Sequence, residues 1–135
     1  MDRLKIRLKE SEKACKTLRD ALSIKKPTAL ERDGTIQRFE YTFEAVWKVG
    51  QLYLVEGESL EANSPKGTFR ALGEIGILSA SETINALAMA DDRNKTVHMY
   101  IEAVAIMIYK GLKEHSNLLD EIISRIVKKI GEIEK

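Results

Sequence analysis

Hydrophobic residues recur at three- and four-residue intervals along most of the chain, the spacing of helices that bury one face. A first helix is predicted from about Asp2 to Ile24, before Lys25-Lys26-Pro27. A second is predicted from Thr28 to about Glu56, and it has the strongest amphipathic pattern in the chain. Its apolar stripe is about 100° wide and consists of Ile36, Phe39, Phe43, Val46, Trp47, Gly50 and Leu54. We expect the tryptophan to anchor the core.

Polar residues and glycine mark where these helices begin and end. Thr28-Ala-Leu-Glu31 and Ser79-Ala-Ser-Glu82 are capping boxes, in which a hydroxyl and a carboxylate three residues apart satisfy free amides at a helix start. Ser64-Pro65 predicts an N-cap followed by proline at the first helical position. Gly76 suits a left-handed C-terminal cap. We therefore expect a loop over residues 57–63 and a short helix that ends just before Gly76.

The second half of the chain has no proline after Pro65, so long helices are permitted there. The helix that follows the second capping box is expected to bury Ile84, Leu87 and Ala88. Residues 103–109 are apolar on all sides of a helix, so we expect more than one neighbour to cover them.

A last amphipathic helix is expected after a break near His115, which we place in a solvated loop. Its apolar face consists of Leu119, Ile122, Ile123, Ile126, Val127 and Ile130. No segment shows the sustained alternation typical of a strand. The sequence therefore predicts an all-α fold, an antiparallel bundle of five or six helices around a four-helix core, as a single domain over residues 1–135.

Composition restricts the class of protein. A chain of 135 residues with 44% apolar residues can build one core and has no room for a second, cofactor-binding domain. The net charge of +1 gives no general attraction to duplex DNA or to an anionic membrane. Cys15 is the only cysteine, and it lies on an apolar helix face, so we expect a buried structural thiol. With no leader peptide or membrane span in the pattern, we expect a cytoplasmic protein.

The candidate functional residues lie in the segment from Asp91 to His98. The helix that follows the second capping box has its apolar stripe at Ile84, Leu87 and Ala88. If that stripe is continued, Asp91, Asn94 and His98 fall at positions where the helical period predicts apolar residues. Asn94 and His98 are one turn apart and could act together on one small group. On a continuous helix, however, Arg93 points about 140° away from His98. Either its side chain wraps around the helix, or the helix changes direction, or Arg93 completes a site with a second subunit.

These residue types permit acid–base chemistry on a phosphodiester. A histidine exchanges a proton near neutral pH, an arginine grips phosphate oxygens with two hydrogen bonds, and an asparagine orients either group. RNA cleavage by them would need no metal and no cofactor. The alternative is purely structural, with Asp91 or Asp92 paired to Arg93 and with His98 bonded to a core carbonyl.

Three acidic positions near this segment are candidate supporting residues. Glu40 borders the apolar stripe of the second helix and could reach Arg93 from inside the bundle, whereas Glu44 is expected to be more exposed. Asp91 and Asp92 are adjacent, so on a helix they diverge by about 100° and form a poor metal site. No Cys/His cluster indicates zinc, and we expect no metal.

Three stretches together resemble the nucleotidyltransferase substrate-binding proteins of the HEPN superfamily. They are the segment from Arg38 to Trp47, Ser64-Pro65 at a helix start, and the segment from Asp92 to Tyr100. They cover roughly residues 28–110 in the expected order. The central motif is an arginine, four residues, a histidine, one residue and a tyrosine, here Arg93, His98 and Tyr100.

The resemblance implies a helical bundle, usually a homodimer, made alongside a small nucleotidyltransferase that lacks this helical domain. The chain is also similar to the helical half of kanamycin nucleotidyltransferase, where such a bundle helps form the substrate cleft. Some relatives are metal-independent ribonuclease toxins whose motif arginine and histidine serve cleavage. In those, the partner acts as antitoxin and transfers AMP to the motif tyrosine, here Tyr100.

Three functional hypotheses follow. The first is a substrate-binding subunit for a separate nucleotidyltransferase, in a toxin–antitoxin-like pair. The second is a ribonuclease toxin in which Arg93 clamps phosphate and His98 is the general base, bound to RNA or a nucleotide. The third is a helical interaction module without chemistry. Residues 101–109 are more apolar than the resemblance implies, so partner recognition is the least determined feature.

Overall fold

The computed structural model describes all 135 residues and contains five α-helices, one 3-10 turn and no strand. The elements are α1 (Asp2–Leu22), α2 (Ala29–Glu58), α3 (Pro65–Glu74), α4 (Ala80–Lys95), the 3-10 turn (Thr96–His98) and α5 (Glu102–Ile133). The all-α bundle predicted from the sequence is therefore confirmed. No helix has both the length and the apolar character that a membrane crossing requires.

The long helices α1, α2 and α5 pack on one another, and α3 and α4 cover the remaining side of α2 and α5. Contacts between helix ends define their directions. Arg38 of α2 donates to the Thr17 carbonyl of α1, and Arg19 of α1 pairs with Asp120 of α5. Lys5 near the start of α1 pairs with Glu134 at the far end of α5. Thus α1 runs antiparallel to both α2 and α5.

The helix ends lie where the capping residues predict. Thr28 and Ser79 each accept a hydrogen bond from the backbone amide three residues later, at 3.1 Å, and the Glu31 and Glu82 carboxylates bond back to the cap amides at 2.9 Å. Ser64 caps α3 ahead of its N1 proline. Gly76 has φ of 84°, a conformation that favours glycine, and it ends the turn after α3.

The core is one cluster of 27 buried apolar residues to which every α-helix contributes. The predicted stripe of α2 is buried, with the exception of Trp47, which is only partly buried and donates its indole N–H to Glu44 at 3.0 Å. Tyr53, which the stripe omitted, is fully buried instead and is the largest such side chain. Cys15 is buried as predicted, and desolvation raises the pKa of its thiol to about 12, so the thiolate is scarce at neutral pH.

The prediction for the buried face of α4 was wrong. Ile84 is 67% exposed, and the residues that α4 buries are Ala86, Met89 and Ala90. The cause lies outside α4, in its close approach to α3. A Cβ atom at Gly73 of α3 would collide with the Thr83 side chain, so α4 turns its Thr83 side toward α3 and its Ile84 side outward.

The predicted helix break near His115 was also wrong, because α5 continues without interruption through that position. Of the apolar segment 103–109, Ala105 and Ile108 are buried, while Ile106 and Met107 are 40% and 50% exposed. The apolar face predicted for the last helix is buried, apart from Val127. One unbroken element thus spans the core and extends to an apolar surface that nothing in the chain covers.

Glu82 connects the start of α4 to α5. Its two carboxylate oxygens accept from Arg125 Nη1 and Nη2 at 2.7 and 2.8 Å, and Nη1 also donates to the Ile77 carbonyl. The hydrogen bonds from Arg125, followed by the one from the Ser79 amide, lower the pKa of Glu82 to about 2. This carboxylate therefore acts as a helix cap and as an interhelical contact at once.

We predict that Glu82→Gln lowers the free energy of unfolding at pH 7 by about 1–2 kcal/mol, because two charge-assisted hydrogen bonds and part of a cap are weakened. Since the folded-state pKa lies below the ordinary value of 4.5, this stability is present above pH 4.5 and is lost as the pH falls toward 2. Urea unfolding at pH 7 and pH 3 measures both effects. Glu121→Gln is the matched control, because Glu121 accepts only from Arg125 Nε and is more exposed; an equal loss in both variants would contradict the prediction.

Candidate functional site

The site predicted from the sequence lies at the end of α4, where the chain reverses direction. α4 ends at Lys95, the 3-10 turn covers Thr96–His98, and α5 begins at Glu102 after an extended Ile101. Of the three possibilities for Arg93, the change in helix direction is therefore the one observed. The prediction that Asn94 and His98 lie one turn apart on a continuous helix was wrong, because the helix ends between them.

Arg93 points inward and is held by α2. Its Nη1 donates to the Thr96 hydroxyl at 3.0 Å and lies 3.4 Å from Glu40 Oε2, while its Nε lies 3.7 Å from Glu44 Oε1. The Thr96 hydroxyl lies 2.7 Å from the Arg93 carbonyl and 3.0 Å from Glu40 Oε2, and its one proton can be donated to either oxygen. The predicted reach of Glu40 to Arg93 is confirmed, and Glu44 is the more exposed of the two carboxylates, as expected, although it also faces Arg93. We call Arg93, Glu40, Glu44 and Thr96 the Arg93 cluster.

The Arg93 cluster has one negative charge in excess, since a single guanidinium faces two carboxylates. The guanidinium is only 24% exposed. Its one hydrogen bond goes to the Thr96 hydroxyl, and its Nε is buried without a hydrogen-bond partner. A phosphate could use this arginine only by competing with carboxylates that are already in place. In this arrangement Arg93 fixes the end of α4 against α2.

The two aspartates before Arg93 do not pair with it, so that part of the structural alternative was wrong. Asp91 accepts from Lys66 of α3 at 2.5 Å, and this hydrogen bond lowers the pKa of Asp91. Asp92 Oδ2 lies 2.7 Å from His115 Nε2 of α5. The three consecutive residues from 91 to 93 thus contact α3, α5 and α2 respectively.

His115 is a mostly buried link and not the solvated loop residue that the sequence predicted. Its side chain is 12% exposed, and its ring stacks on Phe39 at 5.5 Å with an interplanar angle of 23°. A Cβ at Gly111 would lie 3.3 Å from His115 Nε2, so glycine leaves room for the ring. The helical register of position 115 with Leu112 and Leu119 was the sequence signal for its burial. No group of three or more His, Cys, Asp or Glu side chains is placed to hold a metal ion.

His98 and Tyr100 lie together on the surface, separate from the Arg93 cluster. Their ring centroids are 6.2 Å apart in an edge-to-face arrangement, and Tyr100 is 79% exposed. His98 and Asn94 are exposed, and neither side chain makes a hydrogen bond or an ion pair. The expectation that His98 bonds a core carbonyl was therefore wrong, and the imidazole is accessible.

Exposed apolar side chains flank His98 and Tyr100 in the sequence. Val97 is 64% exposed and Ile101 46%. Two more exposed apolar side chains lie in the first turns of α5, and we call the whole set the apolar edge. It consists of Val97, Tyr100, Ile101, Ile106 and Met107. Groups of exposed apolar residues mark interaction surfaces more often than single ones do.

Comparisons with known proteins agree with this architecture. A family model described as "Nucleotidyltransferase substrate binding protein like" matches residues 6–128. A protein from Thermus thermophilus with a solved crystal structure is 46% identical, with a TM-score of 0.83 over 86% of this chain and 98% of its own. A chain in the crystal structure of a mutant form of the toxin–antitoxin MntA–HpeT has a TM-score of 0.77 at 15% identity, over 95% of this chain and 98% of its own, which shows a shared fold. No curated protein matches.

We predict that Arg93→Ala lowers the free energy of unfolding by about 2 kcal/mol, because two partly buried carboxylates lose their counter-ion. His98→Ala should change it by less than about 0.5 kcal/mol, because His98 is exposed and unbonded. Urea unfolding of the two variants checks the difference. Adding Glu40→Gln to Arg93→Ala should restore part of the loss; a purely additive double variant would contradict the coupling.

Proposed function

The chain belongs to the family of nucleotidyltransferase substrate-binding proteins, and on that premise we propose that it is the non-catalytic subunit of a pair whose other member is a small nucleotidyltransferase. The partner would supply the transfer chemistry, and this chain would help to hold the substrate. The toxin–antitoxin origin of the MntA–HpeT structure, which shares the fold, supports a pair of that kind.

The apolar edge is the observation on which this proposal rests. It includes Tyr100 and adjoins His98 in the sequence, and the side chains of the set are exposed. A protein that works alone gains nothing from leaving aliphatic side chains around its polar site in water, whereas a subunit that docks there removes them from solvent. The same edge is suited to a second copy of the chain, so we include a symmetric homodimer in the proposal.

The Arg93 cluster supports a non-catalytic role for this chain. Its guanidinium faces Glu40 and Glu44 at 3.4 and 3.7 Å, ion pairs without a hydrogen bond, so a developing phosphorane charge would have to compete with two nearby carboxylates for it. What Arg93 does is hold the turn that presents His98 and Tyr100. Those two side chains and Asn94 are then free to contact a substrate bound by the partner.

Co-expression with a small nucleotidyltransferase from the same genome tests the subunit proposal. We predict that the wild-type protein co-purifies with the enzyme and that Met107→Asp weakens the complex at least tenfold, because a charge would be desolvated in an apolar contact. Light scattering gives the composition, and titration calorimetry gives the affinity. Ile6→Asp is the matched control, since Ile6 is 61% exposed on α1, away from the apolar edge. Equal binding by wild type and Met107→Asp would contradict the proposal.

Metal-independent RNA cleavage is the second candidate, and the accessible, unbonded imidazole of His98 is the observation that favours it. In this mechanism His98 would accept the 2′-hydroxyl proton as the oxygen attacks the neighbouring phosphorus. Arg93 would have to leave Glu40 and Glu44 to contact the phosphate. Transfer of AMP from ATP to the Tyr100 phenol oxygen, with release of pyrophosphate, would place a phosphate beside His98 and block RNA.

For this candidate we predict that the wild-type protein cleaves RNA in EDTA and that His98→Ala and Arg93→Ala do not. Tyr100→Phe should cleave, but it should not be silenced by the partner and ATP. Gel electrophoresis of the RNA and intact mass of the protein measure the two steps. Lys110→Ala, which changes an exposed polar residue on α5, serves as the control. An inert wild type that still binds the nucleotidyltransferase would leave the subunit role alone standing.

A further inference from the structure

A cleft of about 370 Å³ lies between the first turns of α1 and the second half of α2, away from the residues discussed so far. Three of its six lining residues are cations, and none is a carboxylate. It is lined by Arg3, Arg7, Lys48, Gln51, Leu52 and Val55. We call it the basic cleft.

Most of the positive charge in the basic cleft is available to a ligand. Arg3 Nη2 lies 3.7 Å from Glu56 Oε2, a distance too long for a hydrogen bond. Arg7 and Lys48 are exposed and make no ion pair and no side-chain hydrogen bond. Even with Glu56 counted, two positive charges remain in excess. In a chain whose net charge is only +1, this is a local concentration of unpaired cations.

The contrast with the Arg93 cluster determines where an anion would bind. That cluster has a negative excess, because two carboxylates face its single arginine. A phosphate placed there meets repulsion until a carboxylate moves away, whereas a phosphate in the basic cleft meets two guanidinium groups and an ammonium. Arginine also offers paired donors that match phosphate oxygens. The electrostatics therefore favour the basic cleft.

The basic cleft also has two apolar lining residues, both on α2. Leu52 is partly buried against the core, and Val55 is 47% exposed, so they offer apolar surface to a flat ring. Gln51 donates its amide N–H to the Ala62 carbonyl at 2.6 Å, which fixes the side chain and leaves its amide oxygen as an acceptor. Cations, apolar surface and one fixed polar group are the usual components of a small-molecule site.

We propose that the basic cleft binds a nucleoside polyphosphate. The phosphates contact Arg3, Arg7 and Lys48, and the base lies against Leu52 and Val55. The volume of about 370 Å³ is within the range of small-molecule pockets and suits part of such a ligand in an open cleft. Binding here requires neither the partner enzyme nor the Arg93 cluster.

The position of the cleft relates it to the site at the end of α4. Lys48 lies one turn beyond Glu44 on α2, a rise of about 6 Å, and Gln51 follows on the same side of the helix. The Arg93 cluster and the basic cleft therefore follow one another along the same side of α2.

Titration calorimetry of the full chain with ATP, and separately with inorganic tripolyphosphate, tests the proposal. We expect ATP to bind, tripolyphosphate to bind at least threefold more weakly because it lacks the base, and the Arg7→Ala/Lys48→Ala double variant to lose at least tenfold in affinity for both. Raising the salt concentration should weaken binding of both ligands, because the contacts are largely electrostatic.

Lys9→Ala/Lys110→Ala is the matched control, because it removes the same charge from two exposed positions outside the cleft. It should leave the affinity for ATP within twofold of wild type. All four changes are on the surface, and circular dichroism checks that each variant is folded. Equal affinity for ATP in the two double variants would overturn the site, and equal affinity for ATP and tripolyphosphate would overturn its assignment to a nucleoside. Neither result depends on whether a nucleotidyltransferase binds the apolar edge.

Discussion

The end of α4 is held by a contact among three helices, and the geometry of the candidate site depends on it. The Phe39 ring of α2 stacks on His115 of α5, and His115 bonds Asp92 of α4. Arg93, the next residue, is consequently directed back at α2, where Glu40 and Glu44 receive it. Because neighbouring residues of a helix diverge by about 100°, fixing the direction of one fixes the other. The His115 link thus helps to direct Arg93 inward, and Val97 and His98 of the following turn face solvent.

The residues of the sequence motif occupy two different environments in the structure. Arg93 is engaged inside the protein, while His98 and Tyr100 lie in contact with water. The unpaired positive charge is elsewhere, between α1 and α2. The proposed role as a subunit for a nucleotidyltransferase rests on this separation, because the motif arginine is held inside the protein while the motif tyrosine is accessible.

The sequence predicted those features that local chemistry determines. Both capping boxes, the proline-led start of α3 and the glycine after it are set by residues within one turn, and all are where expected. The rotation of α4 was not predictable in this way, because the contact between Gly73 and Thr83 joins two helices. His115 was misplaced because a polar side chain in an apolar register was assigned to a break. The greater exposure of Glu44 was predictable from its position on α2, but its approach to Arg93 was not, because a long arginine reaches farther round a helix than Cβ directions indicate.

The unbroken course of α5 has a consequence for recognition. Its first turns present Ile106 and Met107 to solvent, while Ala105 and Ile108 on either side of them are locked into the core. The exposed side chains therefore cannot move as a group without unpacking the interior, and interiors are dense and resist such rearrangement. A partner that docks there, as we propose, would meet a helix whose backbone is already formed, and this chain would lose little ordering entropy on binding.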